Sequence, residues 1–220
     1  MTLPADLRAR PARGTGGAAI ASLMRACDET YLSWTPPGWT PPAPPPEWPQ
    51  RLSDPDYWAQ VVVDGPGRVV GLVAFRPARS GDEPGGAAGE PLPGVAHLGV
   101  LLVHPARWRE GIGATLLARA EAAMAAGGYR RARLWTPAGA PAERFYRACG
   151  WAPDGRRGLN PWLGLDVVGY AKPLPSSTRP APPAARSAPA PPGARSAPAP
   201  PGARSAPAPA GARSRPGSGR

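Results

Sequence analysis

The chain has 220 residues, 42% of them hydrophobic, and is long enough for one domain with a sizeable core. Its net charge of +11 is uneven: residues 1–170 contain 18 arginines and all 15 acidic residues, whereas the rest contains seven arginines, Lys172 and no acid. The charge therefore does not by itself indicate a nucleic-acid-binding domain. Two cysteines exclude a disulfide framework and a CxxC metal site. With no apolar leader and no membrane-length apolar run, we expect a cytoplasmic protein.

The N-terminal part predicts a strand, a helix and a long irregular arm. Residues 7–13 alternate apolar side chains with arginine, which favours an edge strand. Within 14–32, the apolar side chains Ile20, Leu23, Met24 and Cys27 have the spacing of an amphipathic helix. The arm, residues 34–50 (WTPPGWTPPAPPPEWPQ), is too rich in proline for regular structure, yet its three tryptophans need burial. It is either a lid over a pocket or an irregular packing arm.

Residues 57–103 predict three strands. The apolar runs 57–64 and 68–77 flank the turn sequence GPG, which is typical of an antiparallel hairpin. A loop rich in glycine and acidic residues follows at 80–94. Because the run 95–103 is almost continuously apolar, we expect it to be a central strand.

Two helices and two strands are predicted after residue 113. They are helix 114–128, strand 130–136, helix 141–149 and strand 165–174. The order strand, helix, strand around 114–128 requires a parallel pair with a crossover helix. Since the earlier strands are joined by a hairpin, we expect an α/β fold with a mixed sheet.

The stretch VHPARWREGIGATLL (103–117) leads from the predicted central strand into a helix through a loop with Gly111 and Gly113. Such a loop directs unpaired backbone N–H groups and the positive end of the helix dipole toward one point, where an anion can bind. It lacks the third glycine of GxGxxG, because residue 116 is leucine, and the lysine of a P-loop. The spacing alone leaves open whether this is an anion site or a plain tight turn.

The C-terminal residues 175–220 repeat a nine-residue unit, ARSAPAPPG at 185–193 and 194–202 and ARSAPAPAG at 203–211. This composition cannot bury a core and predicts a disordered, partly polyproline-II tail after a folded domain at 1–174. The tail is basic but has no aromatic side chains to stack on bases. We therefore interpret it as a solvated appendage capable only of weak contact with nucleic acid.

Two motifs resemble those of the GNAT superfamily of acyl-CoA-dependent N-acetyltransferases. The pattern V-x-P-x-x-[RQ]-x-x-G-x-G/A-x-x-L-L is matched at Val103, Pro105, Gly111, Gly113, Leu116 and Leu117. Trp108 stands where the family has arginine or glutamine. The pattern N-x-x-A-x-x-F-Y-x-x-x-G-F is similar to residues 139–151 (GAPAERFYRACGW), where Gly139 replaces the leading asparagine. Together with the strand order, the resemblance covers about residues 6–174.

The resemblance implies a GNAT-like fold, a central mixed and mostly antiparallel sheet with a V-shaped split between two parallel strands, flanked by helices. Acetyl-CoA is the implied co-substrate, with its pantetheine along Leu101–Val103 and its pyrophosphate on Arg109–Ala114. Tyr146 is implied as the general acid that protonates the departing thiolate, and a backbone N–H of the central strand as the oxyanion donor. The implied co-substrate contacts are Leu101, Leu102, Val103, Trp108, Arg109, Gly111, Ile112, Gly113, Ala114, Gly139 and Tyr146.

His97 is the candidate general base, because it stands where many relatives carry a glutamate on the central strand. An amine must lose a proton before it attacks a thioester, and a histidine in a cleft can accept that proton directly or through water. The alternative is a histidine that only packs in the core or at the surface. The acidic residues show no metal-binding pattern, so we expect no metal.

The favoured function is therefore an N-acetyltransferase that transfers acetyl from acetyl-CoA to a primary amine by direct attack in a ternary complex. The acceptor is a small amine or antibiotic, or a protein N-terminus or lysine. Two alternatives remain. The domain could be a CoA-binding module without turnover, as Trp108, Gly139 and the absence of glutamate at position 97 would allow. It could also be a scaffold for interactions made by the basic tail.

Overall fold

The computed structural model describes residues 2–12, 16–44, 47–84, 86 and 89–175. The strands are β1 (Arg8–Pro11), β2 (Trp58–Val63), β3 (Val69–Arg79), β4 (Pro91–Val103), β5 (Arg131–Pro137), β6 (Ala152–Asn160) and β7 (Leu165–Pro173). The α-helices are α1 (Gly17–Asp28), α2 (Trp48–Ser53), α3 (Ile112–Ala126) and α4 (Pro141–Ala148), and short 3₁₀ helices span Glu29–Ser33 and Pro105–Arg107. The repeats at 185–211 lie outside the described residues, so the disordered tail stays a prediction.

The seven strands form one sheet in the order β1-β2-β3-β4-β5-β7-β6. Every neighbouring pair is antiparallel except β4 and β5, which run parallel and pair along Val95–Leu98 and Arg131–Leu134. Beyond Leu98 and Leu134 the two strands continue unpaired with each other to Val103 and Pro137. This parting is the V-shaped split, and it confirms the predicted α/β fold with a mixed sheet.

A β-bulge at Gly99 lies next to the point where the split begins. Ala74 of β3 pairs with Val100 of β4, but the next residue, Phe75, pairs with Leu98. One extra residue on β4 therefore changes which face its side chains take. Leu98 packs in the core with α3, whereas Val100 packs against the core with α1.

The sheet separates two apolar cores. The first contains the buried side chains of α3, among them Leu116, Leu117 and Met124. The second joins α1 and Trp48 of α2 to β2 and β3. The crossover helix lies close to β3 because residue 71 is glycine: a Cβ there would lie 3.0 Å from Leu116 Cδ1.

Two features of the sheet differ from the prediction. Strand β6 was not predicted, because its sequence APDGRRGLN is mostly polar and its residues alternate between exposed and partly exposed. Strand β4 begins at Pro91, within the predicted loop 80–94. Residues 91–94 precede the pairing with β5, so β4 has only β3 as a strand partner there and its prolines are tolerated.

Candidate active site

A cavity of about 600 Å³ lies beside the part of β4 that extends beyond the split. Its walls are the end of α1 and the following turn, the end of β4, the loop before α3, the start of α3 and the start of α4. The predicted co-substrate contacts that line it are Leu101, Leu102, Val103, Trp108, Arg109, Gly111, Ile112, Gly113, Ala114 and Tyr146. Gly139 does not line the cavity; its N–H donates a hydrogen bond of 2.7 Å to Glu143 Oε1 at the start of α4.

The loop before α3 has an unusual backbone. Gly111, the N-cap of α3, has φ = 77°, and Arg109 has φ = 67° although it is not glycine. A left-handed conformation at a residue with a Cβ costs about 1–3 kcal/mol and is typically kept where a loop holds a ligand. No side chain in the described part of the chain caps the N-terminus of α3, whose first residues line the cavity. The N–H groups of this first turn, which lack partners within the helix, therefore belong to residues at the cavity wall.

The acidic side chain next to this loop, Glu110, is held in an ion pair. Glu110 precedes the helix and would repel an anion, but its carboxylate accepts a hydrogen bond of 2.8 Å from Arg107 Nε. Arg107 also reaches Asp6 at 3.0 Å, which fixes the guanidinium at the base of the loop. The positive end of the α3 dipole is therefore left facing the cavity.

The carbonyl oxygen of Val103 accepts two hydrogen bonds, from Trp108 Nε1 at 2.7 Å and from Cys27 Sγ at 3.3 Å. This carbonyl consequently points away from β3. Backbone groups alternate in direction along a strand, so the N–H and carbonyl of Leu101 point the same way, toward the split. Leu101 thus offers a backbone donor and an acceptor to an extended ligand.

Tyr146 is 8% exposed and lines the cavity. Its ring contacts those of Phe145, Trp151 and Tyr170 at centroid distances of 5.4, 6.0 and 6.2 Å. Burial raises the pKa of the phenol above its ordinary value, with smaller contributions from Tyr31 and Cys149. The group therefore stays protonated across the physiological range and can act as a donor.

His97 does not line this cavity. It pairs in register with Arg76 of β3 and Arg133 of β5, and its Nδ1 is buried without a hydrogen-bond partner among the described residues. Burial lowers its pKa to about 4; Asp82 opposes this shift, whereas Arg76, Arg133 and Arg156 add to it. The imidazole is neutral at neutral pH, and its role as a base stays a prediction.

The arm 34–50 divides into parts with different roles. Trp34 lines the cavity, as a lid residue would. Trp39 donates its indole N–H to the carbonyl of Leu163 at 2.8 Å, and Trp48 is buried with its N–H 2.9 Å from Met24 Sδ. The packing interpretation therefore applies to Trp39 and Trp48, whereas a lid over the pocket stays a prediction.

The wall contributed by the end of α1 was not predicted. Cys27, Thr30, Tyr31 and Ser33 line the cavity, and Tyr31 packs its ring 4.9 Å from that of Trp34. The one available signal was the polar and aromatic run DETYLSW, which follows the apolar repeat of α1. Asp28 lies beside this wall, 5% exposed, and burial raises its pKa to about 6.

Within the described ranges, no group of three His, Cys, Asp or Glu side chains is placed to hold a metal ion. In the same part of the chain, no helix is both long and apolar enough to cross a membrane.

Comparison with known proteins adds a family and a fold. The sequence model of the acetyltransferase (GNAT) family matches residues 24–151. A search of curated proteins finds no match. An N-acetyltransferase from Staphylococcus aureus Mu50 has a similar structure, with a TM-score of 0.57 and 18% identity over 78% of this chain and 100% of that one.

Two further solved structures are similar in fold. PaiA N-acetyltransferase from Thermoplasma acidophilum, in complex with coenzyme A, has a TM-score of 0.55 and 15% identity over 76% of this chain and 99% of that one. The ribosomal-protein-S18-alanine N-acetyltransferase from Escherichia coli has a TM-score of 0.54 and 14% identity over 78% and 96%. With the family model covering more than half of its length, the chain belongs to the GNAT acetyltransferase family.

Proposed function

We propose that this protein is an N-acetyltransferase that moves the acetyl group of acetyl-CoA to a primary amine within a ternary complex. The observation that carries the proposal is the uncapped N-terminus of α3, which opens into the same cavity as the buried phenol of Tyr146. The family assignment and the coenzyme A complex of the Thermoplasma relative support it.

The cavity offers separate surfaces for two parts of acetyl-CoA, the pyrophosphate and the pantetheine. The N–H groups of Gly111–Ala114 and the dipole of α3 suit the pyrophosphate, as the left-handed backbone of Arg109 and Gly111 supports. The N–H and carbonyl of Leu101 suit the amides of pantetheine, because the carbonyl of Val103 is already occupied by Trp108 and Cys27.

The transfer forms a C–N bond and breaks a C–S bond. The amine nitrogen attacks the thioester carbon, and a backbone N–H of β4 near the Gly99 bulge donates to the oxygen that becomes negative. As the C–S bond breaks, Tyr146 gives its proton to the sulfur. The proton lost by the amine passes to solvent, because His97 does not line the cavity, and Tyr146 then regains a proton from solvent, so that the overall transfer consumes no net proton.

Two departures from the family motifs have structural roles here. Trp108 bonds to Val103, and Gly139 bonds to Glu143. Each residue thus has a structural contact, and the alternative of a CoA-binding module without turnover stays a prediction. The cytoplasmic location and the role of the tail also stay predictions.

Calorimetric titration of acetyl-CoA into the full chain tests the binding step. We expect a Kd in the micromolar range, which Gly113→Asp abolishes by placing a carboxylate at the pyrophosphate surface. Gly113→Ala is the matched control, because its Cβ would lie 3.5 Å from the Phe145 ring, an ordinary contact. A folded wild type that does not bind acetyl-CoA would overturn the proposal.

A further inference from the structure

Arg156 lies in a part of β6 that departs from regular pairing. The register between β6 and β7 shifts between Pro153 and Arg157. Within this irregular segment, Asp154 holds Arg156 twice: Oδ1 accepts from the backbone N–H at 3.1 Å and Oδ2 accepts from Nε at 2.8 Å. The Nη2 group of Arg156 also lies 2.6 Å from Oδ2. Asp154 therefore fixes the position of the guanidinium relative to the backbone of β6.

A glycine in the neighbouring strand β7 leaves room for the side chain of Arg156 to cross that strand. A Cβ at Gly169 of β7 would lie 2.4 Å from Asp154 Oδ1 and 2.9 Å from Arg156 Cβ, distances that are sterically forbidden. Gly169 pairs with Trp135 of β5, so the side chain of Arg156 crosses β7 over the glycine and reaches β5. There its Cζ lies 4.4 Å from the centroid of the Trp135 ring.

The guanidinium ends at the apex of the split. Its Nη2 donates a hydrogen bond of 3.3 Å to the carbonyl of Leu134, the last residue of β5 that pairs with β4. The side chain of Leu134 packs in the core with α3. Because side chains alternate across a strand, Trp135 and the guanidinium stacked on it occupy the opposite face. Arg156 thus approaches the split from the side away from α3.

The surroundings of Arg156 have an excess of positive charge. Three guanidinium groups, those of Arg76, Arg133 and Arg156, are balanced by only two carboxylates, Asp82 and Asp154. Buried Nη1 of Arg156 and buried Nε of Arg133 have no hydrogen-bond partner among the residues that the structure describes. A buried N–H group without a partner is unfavourable, and a carboxylate oxygen that reached Nη1 of Arg156 would satisfy it.

We propose that Arg156 is a specificity-determining residue that binds a carboxylate of the acceptor, so that the acceptor is a small amine bearing a carboxylate, such as an amino acid. This inference rests on the proposed function, which brings the acceptor amine to the split. A carboxylate fits better than a doubly charged group, because the excess charge of the cluster is one. Since Nε and Nη2 already donate to Asp154 and Leu134, a carboxylate oxygen would bind at Nη1.

The experiment compares acceptors that share a side chain and differ in the carboxylate, assayed with acetyl-CoA and the full chain. Because the amine pKa also differs within a set, kcat/KM is calculated on the concentration of the uncharged amine. One set is phenylalanine, phenylalaninamide and phenethylamine, and the other is leucine, leucinamide and isoamylamine. We expect kcat/KM for the carboxylate member of at least one set to exceed that of its two partners by about tenfold or more. In Arg156→Gln this preference should disappear through a higher KM for the acid, with the Kd for acetyl-CoA unchanged.

Two further variants separate recognition from folding. Arg156→Lys should retain part of the preference, since it keeps the charge but loses the N–H groups of Nη1. Arg157→Gln is the matched control, because Arg157 is the next residue and is exposed; it should behave as wild type. The acetyl-CoA Kd of each variant shows that its fold is intact.

Three outcomes would overturn the inference. The neutral members could be acetylated as well as the acids, or Arg156→Gln could keep the preference. All six acceptors could also fail while acetyl-CoA binds and other amines are acetylated, which would leave the proposed function intact. A folded chain that binds no acetyl-CoA would instead overturn the proposed function, and this inference with it.

Discussion

The indole N–H of Trp108 donates a hydrogen bond of 2.7 Å to the carbonyl oxygen of Val103, and so ties the loop before α3 to the last residue of β4. The ring is 51% exposed, so this contact is not a consequence of burial. The bond holds the left-handed segment at Arg109 against the strand end. Trp108 therefore supports the shape of the loop from a position where relatives have arginine or glutamine.

Replacing Trp108 by alanine should weaken acetyl-CoA binding about fivefold, the equivalent of one hydrogen bond of about 1 kcal/mol. Trp108→Gln should lose less, because its amide can donate to the same carbonyl. Calorimetric Kd values for the two variants and for Trp162→Ala, which removes another exposed tryptophan outside the cavity lining, provide the comparison. Equal affinity in all three would show that the bond to Val103 does not shape the site.

Tyr146→Phe should lower kcat about a hundredfold while the Kd for acetyl-CoA changes little, because only the proton donor is removed. Since burial raises the pKa of this phenol, its ionisation should not cause a fall in rate between pH 8 and pH 10. Steady-state rates across this range check both statements.

Tyr129→Phe is the control for this prediction, because it removes a phenol on the apolar core away from the cavity lining. A Tyr146→Phe variant with wild-type kcat would remove Tyr146 from the mechanism and restrict it to packing.

The path of the chain into the split was predictable because each step is local. A parallel strand pair with a crossover helix was predicted from the glycines of the loop, the apolar spacing of α3 and the strands on either side. The structure confirms this unit. The departure of β4 from β5 followed from the family resemblance, not from residue patterns. The cavity then contains the loop residues expected from that resemblance, apart from Gly139.

The far wall and the acceptor side could not be predicted in the same way. Cys27 reaches Val103 across 76 positions of sequence, and nothing in the apolar repeat of α1 distinguishes a cavity wall from a core face. The position of the Arg156 side chain depends on the shifted register between β6 and β7 and on the glycine at position 169 of β7. Only the folded arrangement brings such residues together.

His97→Gln should leave the pH dependence of kcat/KM unchanged between pH 6 and pH 9. The pKa of this imidazole is lowered to about 4, by burial first and then by the neighbouring arginines against Asp82. The imidazole therefore remains neutral throughout that range, and its titration cannot cause a change of kcat/KM with pH there. Loss of a limb near pH 6–7 in this variant, with acetyl-CoA affinity retained, would instead establish His97 as the base.

Asp28→Asn should stabilise the protein at pH 8 by about 1–2 kcal/mol, or a few degrees in Tm. Asp28 is buried at the C-terminal end of α1, where a negative charge is also disfavoured by the helix dipole. Its Oδ2 has no hydrogen-bond partner within the described ranges. Burial raises its pKa from 3.8 to about 6, so the folded chain binds the proton more tightly than the unfolded chain.

The contribution of Asp28 is therefore most favourable below about pH 4 and is lost as the pH rises through 6. The advantage of Asp28→Asn should accordingly shrink as the pH falls from 8 toward 4, where wild-type Asp28 is itself neutral. Thermal melts at pH 4, 6 and 8 test this, with Asp166→Asn as an exposed aspartate control. A pH-independent difference would mean that Asp28 acts through packing or hydrogen bonding and carries no buried charge at neutral pH.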